Sequence, residues 1–421
     1  MSRNLRETPA IRKSLLQLLF TGAYMKRWND KLRPMNLVEM DKQAHKMMTA
    51  WLLFMLASRG MGEQERLTLG REIVEGGLYD YLFRLVITDI KPPVFYRIKE
   101  NPEHFKLLSD WVLEQLKPRL LPLGEAFWND FAAYWTEPET TGLARSILSA
   151  AHLYASYSEF LLIKSVNSED EELKDIEKSF KDGLARHLHL PGVADLLSPT
   201  PGEFGRFAQL CGRLRYQTRW SQTPRIPETS VLGHMFIVAA YSWFFSLEIG
   251  FCQAGLQNNF FAGLFHDLPE LLTRDIISPV KRSARAIGDL IREYEERELL
   301  SRVLTPLDQG GYQDIADRLR YFLGLDVGSE FKATCRENGV TRVMHSEELQ
   351  AQANEDRLDP RDGELVKVCD SLAAFIEAYT AVRNGITSDQ LQEAIWRLRK
   401  QYQQQSLVAG IHVGALLADF D

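Results

Sequence analysis

Apolar and polar positions follow helical spacing along most of the chain. Segments 47–56, 236–247, 286–303 and 364–382 place apolar residues at helical intervals or consist of good helix formers, and no stretch sustains the two-residue alternation of a half-buried strand. The fold class this predicts is all-α. The longest apolar run, 235–245, is interrupted at Ser242 and is too short to span a bilayer.

A second pattern lies over the first. Tyr24, Arg27 and Trp28 return as Tyr216, Arg219 and Trp220, 192 positions on. His45 at the head of one apolar run returns as His234 at the head of another, 189 on. The series Gly77-Leu78-Tyr79, Asp89-Ile90 and Pro93-Val94 returns as Gly263-Leu264-Phe265, Asp275-Ile276 and Pro279-Val280, 186 on, and Leu120, Pro122 and Leu123 return 184 on as Leu304, Pro306 and Leu307. Four ordered matches with a slowly drifting offset predict a duplicated helical unit. The expected division is 1–165 for the first copy, 166–202 for a charged connector rich in proline and glycine, and 203–421 for the second copy, enlarged by an insertion after Leu307. A chain of 421 residues suits two such units.

Composition narrows the function classes. With 45% hydrophobic and 25% charged residues the chain is expected to fold, and a net charge of −7 offers no broad positive field for a nucleic-acid polymer. A small anionic substrate held by a metal and one or two basic side chains is compatible with that charge. Cys211, Cys252, Cys335 and Cys369 stand far apart with no CxxC pair, which reads as reduced thiols, and the N-terminal apolar stretch has no convincing cleavage site; the expectation is a cytoplasmic protein with no membrane partner.

Of nine histidines one is followed by aspartate, in Phe265-His266-Asp267-Leu268-Pro269-Glu270. His234 precedes this pair by 32 residues among Met235, Phe236, Ile237 and Val238, where a buried imidazole needs a partner. Asp370 sits in an apolar helical segment whose residues one turn away are Val366, Ala373 and Ala374, where an uncompensated carboxylate would be costly. Two imidazoles and two carboxylates form a nitrogen and oxygen donor set suited to one divalent cation such as Mn, Fe, Co, Mg or Zn, which can lower the pKa of water and neutralise a phosphoryl group. Glu270 follows at helical spacing as a candidate general base, although Pro269 should end or kink the helix there. Asp275 is a second candidate acid or base, and Lys281 a candidate phosphate contact. His187 and His189 have no further donors in the nearby sequence and read as structural.

The order H…HD…D, with HDxxE followed by TxDxxxPxK and with Arg219-Trp220 upstream, resembles the HD-domain metal phosphohydrolases, and specifically the YfbR-like 5'-deoxynucleotidases. The resemblance implies a helical HD fold, one divalent metal on His234, His266, Asp267 and Asp370, and release of phosphate from a (deoxy)nucleoside 5'-monophosphate. It also implies catalytic roles for Glu270 and Asp275 and substrate contacts from Arg219 and Trp220. Gly233 departs from the acidic residue that family tends to place before the first histidine, which leaves substrate identity open.

By the same offsets the first copy retains His45 and Asp89 but carries Asp80, Tyr81, Arg84 and Ala151 where the second has His266, Asp267, Glu270 and Asp370, so it is expected to be a degenerate HD-like domain with no metal site. YfbR-like proteins are generally dimeric, which implies that the two copies pair as an internal pseudo-dimer in a monomer, or that the chain forms a homodimer. Alternatives are an HD phosphodiesterase or nucleoside triphosphate triphosphohydrolase with the same ligands, and a non-catalytic nucleotide sensor.

Overall fold

The computed structural model describes residues 10–137, 142–168, 170–273, 285–403 and 407–421. Among them the secondary structure is helical apart from a small three-stranded sheet, as the apolar spacing predicts. At the centre lie two helices that are buried along nearly their whole lengths, Glu39–Ala57 and Val231–Glu248, packed against one another. Leu143–Lys164 covers the first, and Gln253–Phe265 and Gly363–Arg383 cover the second. Residues from both halves of the chain join in one continuous apolar core. Val231–Glu248 is the one described helix long and apolar enough to cross a membrane, but 89% of it is buried inside the protein, where a core helix needs the same apolar surface.

Small residues let these helices approach. Ser230 caps Val231–Glu248 by accepting the Gly233 amide at 2.9 Å, and its hydroxyl donates to Asp41 Oδ1 of the other central helix at 2.7 Å. A β-carbon on Gly263 would lie 2.9 Å from Ala239 Cα and 3.0 Å from its nitrogen, so Gln253–Phe265 lies directly on the backbone of Val231–Glu248. Pro269 acts as its covalent chemistry requires: the helix ends at Phe265, a turn follows, and a short helix resumes at Glu270–Thr273.

The segment read as an insertion holds strands β1 (Ala333–Glu337), β2 (Val340–Met344) and β3 (Arg361–Asp362), antiparallel in the order β2-β1-β3. Strands this short show no sustained alternation, which is why the apolar pattern did not announce them. The buried Arg361 donates to the carbonyls of Phe322, Glu330 and Lys332 at 3.2, 2.5 and 3.3 Å, and Asp362 caps Gly363–Arg383 by accepting the Leu365 amide at 3.0 Å.

One local arrangement occurs twice. Lys26 pairs with Val38 ahead of Glu39–Ala57, and Thr218 pairs with Ser230 ahead of Val231–Glu248. Trp28 and Trp220 both take left-handed backbone conformations, φ 57° and 55°, and their indole N–H groups donate to Glu159 at 3.1 Å and Glu377 at 2.9 Å. Counted from these anchors, Lys42 lies four residues after Val38 as His234 lies four after Ser230, and His152 lies seven before Glu159 as Asp370 lies seven before Glu377. The sequence offsets had instead set His45 opposite His234 and Ala151 opposite Asp370. His45 in fact places Nε2 2.9 Å from the Ala208 carbonyl, and Ala151 is buried in the core.

Two measurements test this packing. Gly263→Ala forces a β-carbon against backbone that cannot move aside and is expected to cost roughly 1–3 kcal/mol in urea denaturation; an unchanged midpoint would mean the two helices are free to separate. Burial pushes the Asp41 carboxyl up to about 6, above its ordinary value, against the opposing pull of Ser230 and Arg215. The folded state therefore disfavours the ionised form, and stability falls as pH rises from about 4 through 6. Asp41→Asn keeps an oxygen for Ser230, so it should gain on the order of 2 kcal/mol over the wild type at pH 8 and nothing at pH 3.5, read from paired denaturation curves.

Candidate metal centre

Each half of the cluster is aimed by its helix. His234 stands on the first turn of Val231–Glu248, fully buried, with Nε2 3.1 Å from Asp370 Oδ1 and 3.9 Å from Asp267 Oδ2. His266 caps the end of Gln253–Phe265, and its Nδ1 lies 2.8 Å from the Gly263 carbonyl. A carbonyl only accepts, so this contact places the proton on Nδ1 and turns the Nε2 lone pair toward Asp267 Oδ2, 3.2 Å away. The ligand atoms of His234, His266 and Asp267 all lie within 4.8 Å of one another. Asp370, on Gly363–Arg383, touches this trio through His234, while its other oxygen takes Lys367 Nζ at 2.7 Å.

The charges are balanced within the cluster. Burial opposes ionisation of Asp267, but His266, His234 and Arg219 outweigh it and hold the carboxyl below its usual range. Asp370 is likewise held well below its ordinary value, burial being overcome by Lys367 and His234. Burial alone would depress His266, yet Asp267 and Asp370 raise it, so positive charge is favoured at the centre. The buried His266 Nε2 makes no hydrogen bond of acceptable geometry. A buried lone pair facing two ionised carboxylates and a second imidazole fits a divalent cation, by donor chemistry as well as placement.

Around this set lies a layer of groups that the sequence did not single out. Glu377, two turns beyond Asp370 on the same helix, accepts from the Trp220 indole at 2.9 Å and the Thr229 hydroxyl at 2.8 Å, and stands 3.5 Å from Arg219 Nε and 3.7 Å from His234 Nδ1. Arg219 and Arg225 lead the groups that hold its carboxyl well below the usual range despite burial. Lys367 lies 4.4 Å from the centre of the Phe331 ring. The spacing 367, 370, 377 on one helix was the available signal for both residues. Of the expected substrate contacts, Arg219 also reaches Asp267 at 3.4 Å, and Trp220 is braced by Glu377 with Arg225 5.5 Å above its ring. Glu270 is buried at the head of Glu270–Thr273, and its carbonyl accepts the Gln217 amide at 2.9 Å. Asp275 and Lys281 lie outside the described residues.

Residues 211–399, which contain this whole constellation, match the family described as HD domain. The match covers less than half of the chain. A dATP triphosphohydrolase of Acinetobacter phage SH-Ab 15497 is 35% identical to the chain over 83 residues, a match covering 17% of this chain and 40% of the phage protein. The match thus spans less than half of that relative. No solved structure matches the chain.

Glu377→Ala removes the acceptor that joins Trp220, Thr229 and Arg219 to His234. The expected outcome is a loss of roughly 3–5 kcal/mol in chemical denaturation, as for breaking a buried ion pair, with partial rescue by Glu377→Gln. Equal stability of the alanine variant and the wild type would show that Glu377 does not organise the site.

Proposed function

We propose that the chain is a metal-dependent phosphohydrolase acting on a small nucleotide, with His234, His266, Asp267 and Asp370 as the metal ligands. The observation that carries this reading is the buried His266 Nε2, turned by the Gly263 carbonyl toward Asp267 within the His234, His266 and Asp267 cluster. A divalent cation held there supplies Lewis acidity toward a phosphoryl oxygen and toward water. The protein's own groups do the rest. Glu270, and Asp275 beside it in sequence, take the proton from the attacking water; Arg219 and Lys367 meet the charge of the phosphoryl group; Lys281 is a further phosphate contact; Trp220, fixed by Glu377, lies against the sugar.

The first reading of the substrate is a (deoxy)nucleoside 5'-monophosphate, on the order of HDxxE and TxDxxxPxK. A second reading, a nucleoside triphosphate, is favoured by the name of the phage relative. In the same proposal the two halves of the chain are degenerate and active copies of one unit, 1–165 and 203–421 joined through 166–202 and packed as an internal pseudo-dimer, which the recurring Trp28–Glu159 and Trp220–Glu377 contacts support.

Product analysis separates the readings. Metal-stripped protein supplied with Mn, Co or Mg and a panel of deoxynucleoside mono- and triphosphates should release inorganic phosphate from monophosphates on the first reading and inorganic triphosphate from triphosphates on the second. Asp267→Asn should lower turnover at least 100-fold while the circular dichroism spectrum is unchanged. No hydrolysis of any substrate by wild-type protein with bound metal would end the catalytic reading and leave a nucleotide sensor.

A further inference from the structure

The position in the first half that corresponds to the metal centre is filled by bases. In the shared frame Lys42 occupies the place of His234 and His152 that of Asp370, and the two touch, Lys42 Nζ to His152 Nδ1 at 2.9 Å, as His234 touches Asp370. Arg84 stands where the 186-residue offset sets Glu270, and it reaches Glu39 at 3.5 Å. Arg27, the counterpart of Arg219, binds Glu39 at 2.7 Å and Glu159 at 2.8 Å. Lys46 pairs with Asp80. Two positions of the metal set thus carry basic side chains in the first half, Lys42 and His152, while Asp80 stands for His266.

Burial is graded across the cluster. The Lys42 and Lys46 side chains are 2% and 0% exposed, whereas those of Arg27, Arg84 and Asp80 are 14%, 20% and 31% exposed. Arg27, Lys42, Lys46 and Arg84 face Glu39 and Asp80, Arg84 also pairs with Asp89 at 3.2 Å, and Glu159 is shared between Arg27 and Arg215. Burial together with Arg27, Lys46 and Arg84 brings the Lys42 amine down to about 7 against the pull of Glu39, and Lys42 together with burial keeps His152 neutral. Such a group gains its proton when an anion arrives, and the mutual repulsion of the cations falls with it.

We propose that this cluster is a binding site for a phosphoryl group, borne by a nucleotide or by free phosphate, at which no hydrolysis takes place. The half-buried guanidinium groups of Arg27 and Arg84 meet the phosphoryl oxygens in place of part of their contacts with Glu39, Glu159 and Asp89, and Lys42 and Lys46 supply charge from beneath. The site is separate from the metal centre and does not depend on the second half being catalytic.

The test is calorimetric titration of the full chain, treated with chelator, with inorganic phosphate and separately with dAMP, in the wild type and in His266→Ala, Arg84→Gln and Lys42→Gln. Binding should persist in His266→Ala and weaken at least tenfold in Arg84→Gln, whose partly exposed side chain can be replaced without opening the core. Lys42→Gln gives a second reading if Arg84→Gln misfolds. Tighter binding of dAMP than of phosphate assigns a nucleotide, and equal binding assigns the phosphoryl group alone. Binding that disappears in His266→Ala, or that is unchanged in both Arg84→Gln and Lys42→Gln, overturns the proposal and leaves the cluster a closed structural ion network.

Discussion

The site depends on how closely the helices Gln253–Phe265 and Val231–Glu248 can approach. Gly263 has no side chain to hold them apart, so its backbone lies against Ala239, and three residues later its carbonyl takes the His266 ring proton. One residue therefore sets both the separation of the helices and the tautomer of the second histidine. With the ring pinned at Nδ1, the Nε2 lone pair has to face inward, toward Asp267 and the imidazole of His234 on the neighbouring helix. A bond to the outer nitrogen that orients the inner one is the usual support of a metal-ligating histidine.

Electrostatic balance explains what surrounds that pair. Two carboxylates in a closely packed helical core are costly unless cations meet them, and Lys367 on Asp370 and Arg219 on Asp267 do so. In the first half of the chain the buried charges have the opposite sign: Lys42, Lys46 and Arg84 are met by Glu39 and Asp80. Asp41 and Arg215 then tie the halves together, through Ser230 and Glu159 respectively.

Much of this was legible in the sequence. The all-α class followed from apolar spacing, and the match to the HD domain family was signalled by His266-Asp267 with a histidine and an aspartate set in apolar helices on either side. What escaped has physical reasons. A shift of three residues turns a helix by only about 60° less than a full revolution, so apolar periodicity barely distinguishes His45 from Lys42 as the partner of His234; the backbone pairing of Lys26 with Val38 does. Ala151 and His152 differ by one position in a long apolar helix, and only the contact of Trp28 with Glu159 sets the register. Glu377 looks like an ordinary surface charge until its position on the helix is seen to be buried, and the part-exposed Lys367 is marked out only by its contact with Asp370. The short strands β1 to β3 have too few residues to display a period.

The central claim is that His266, aimed by Gly263, is part of a metal centre confined to the second half. Equilibrium dialysis of metal-stripped protein against Mn(II), comparing the wild type with His266→Ala and His45→Ala, tests it directly. Binding that is lost in His266→Ala and intact in His45→Ala is the predicted result. Binding that survives His266→Ala, or that fails in a folded His45→Ala, would contradict the account.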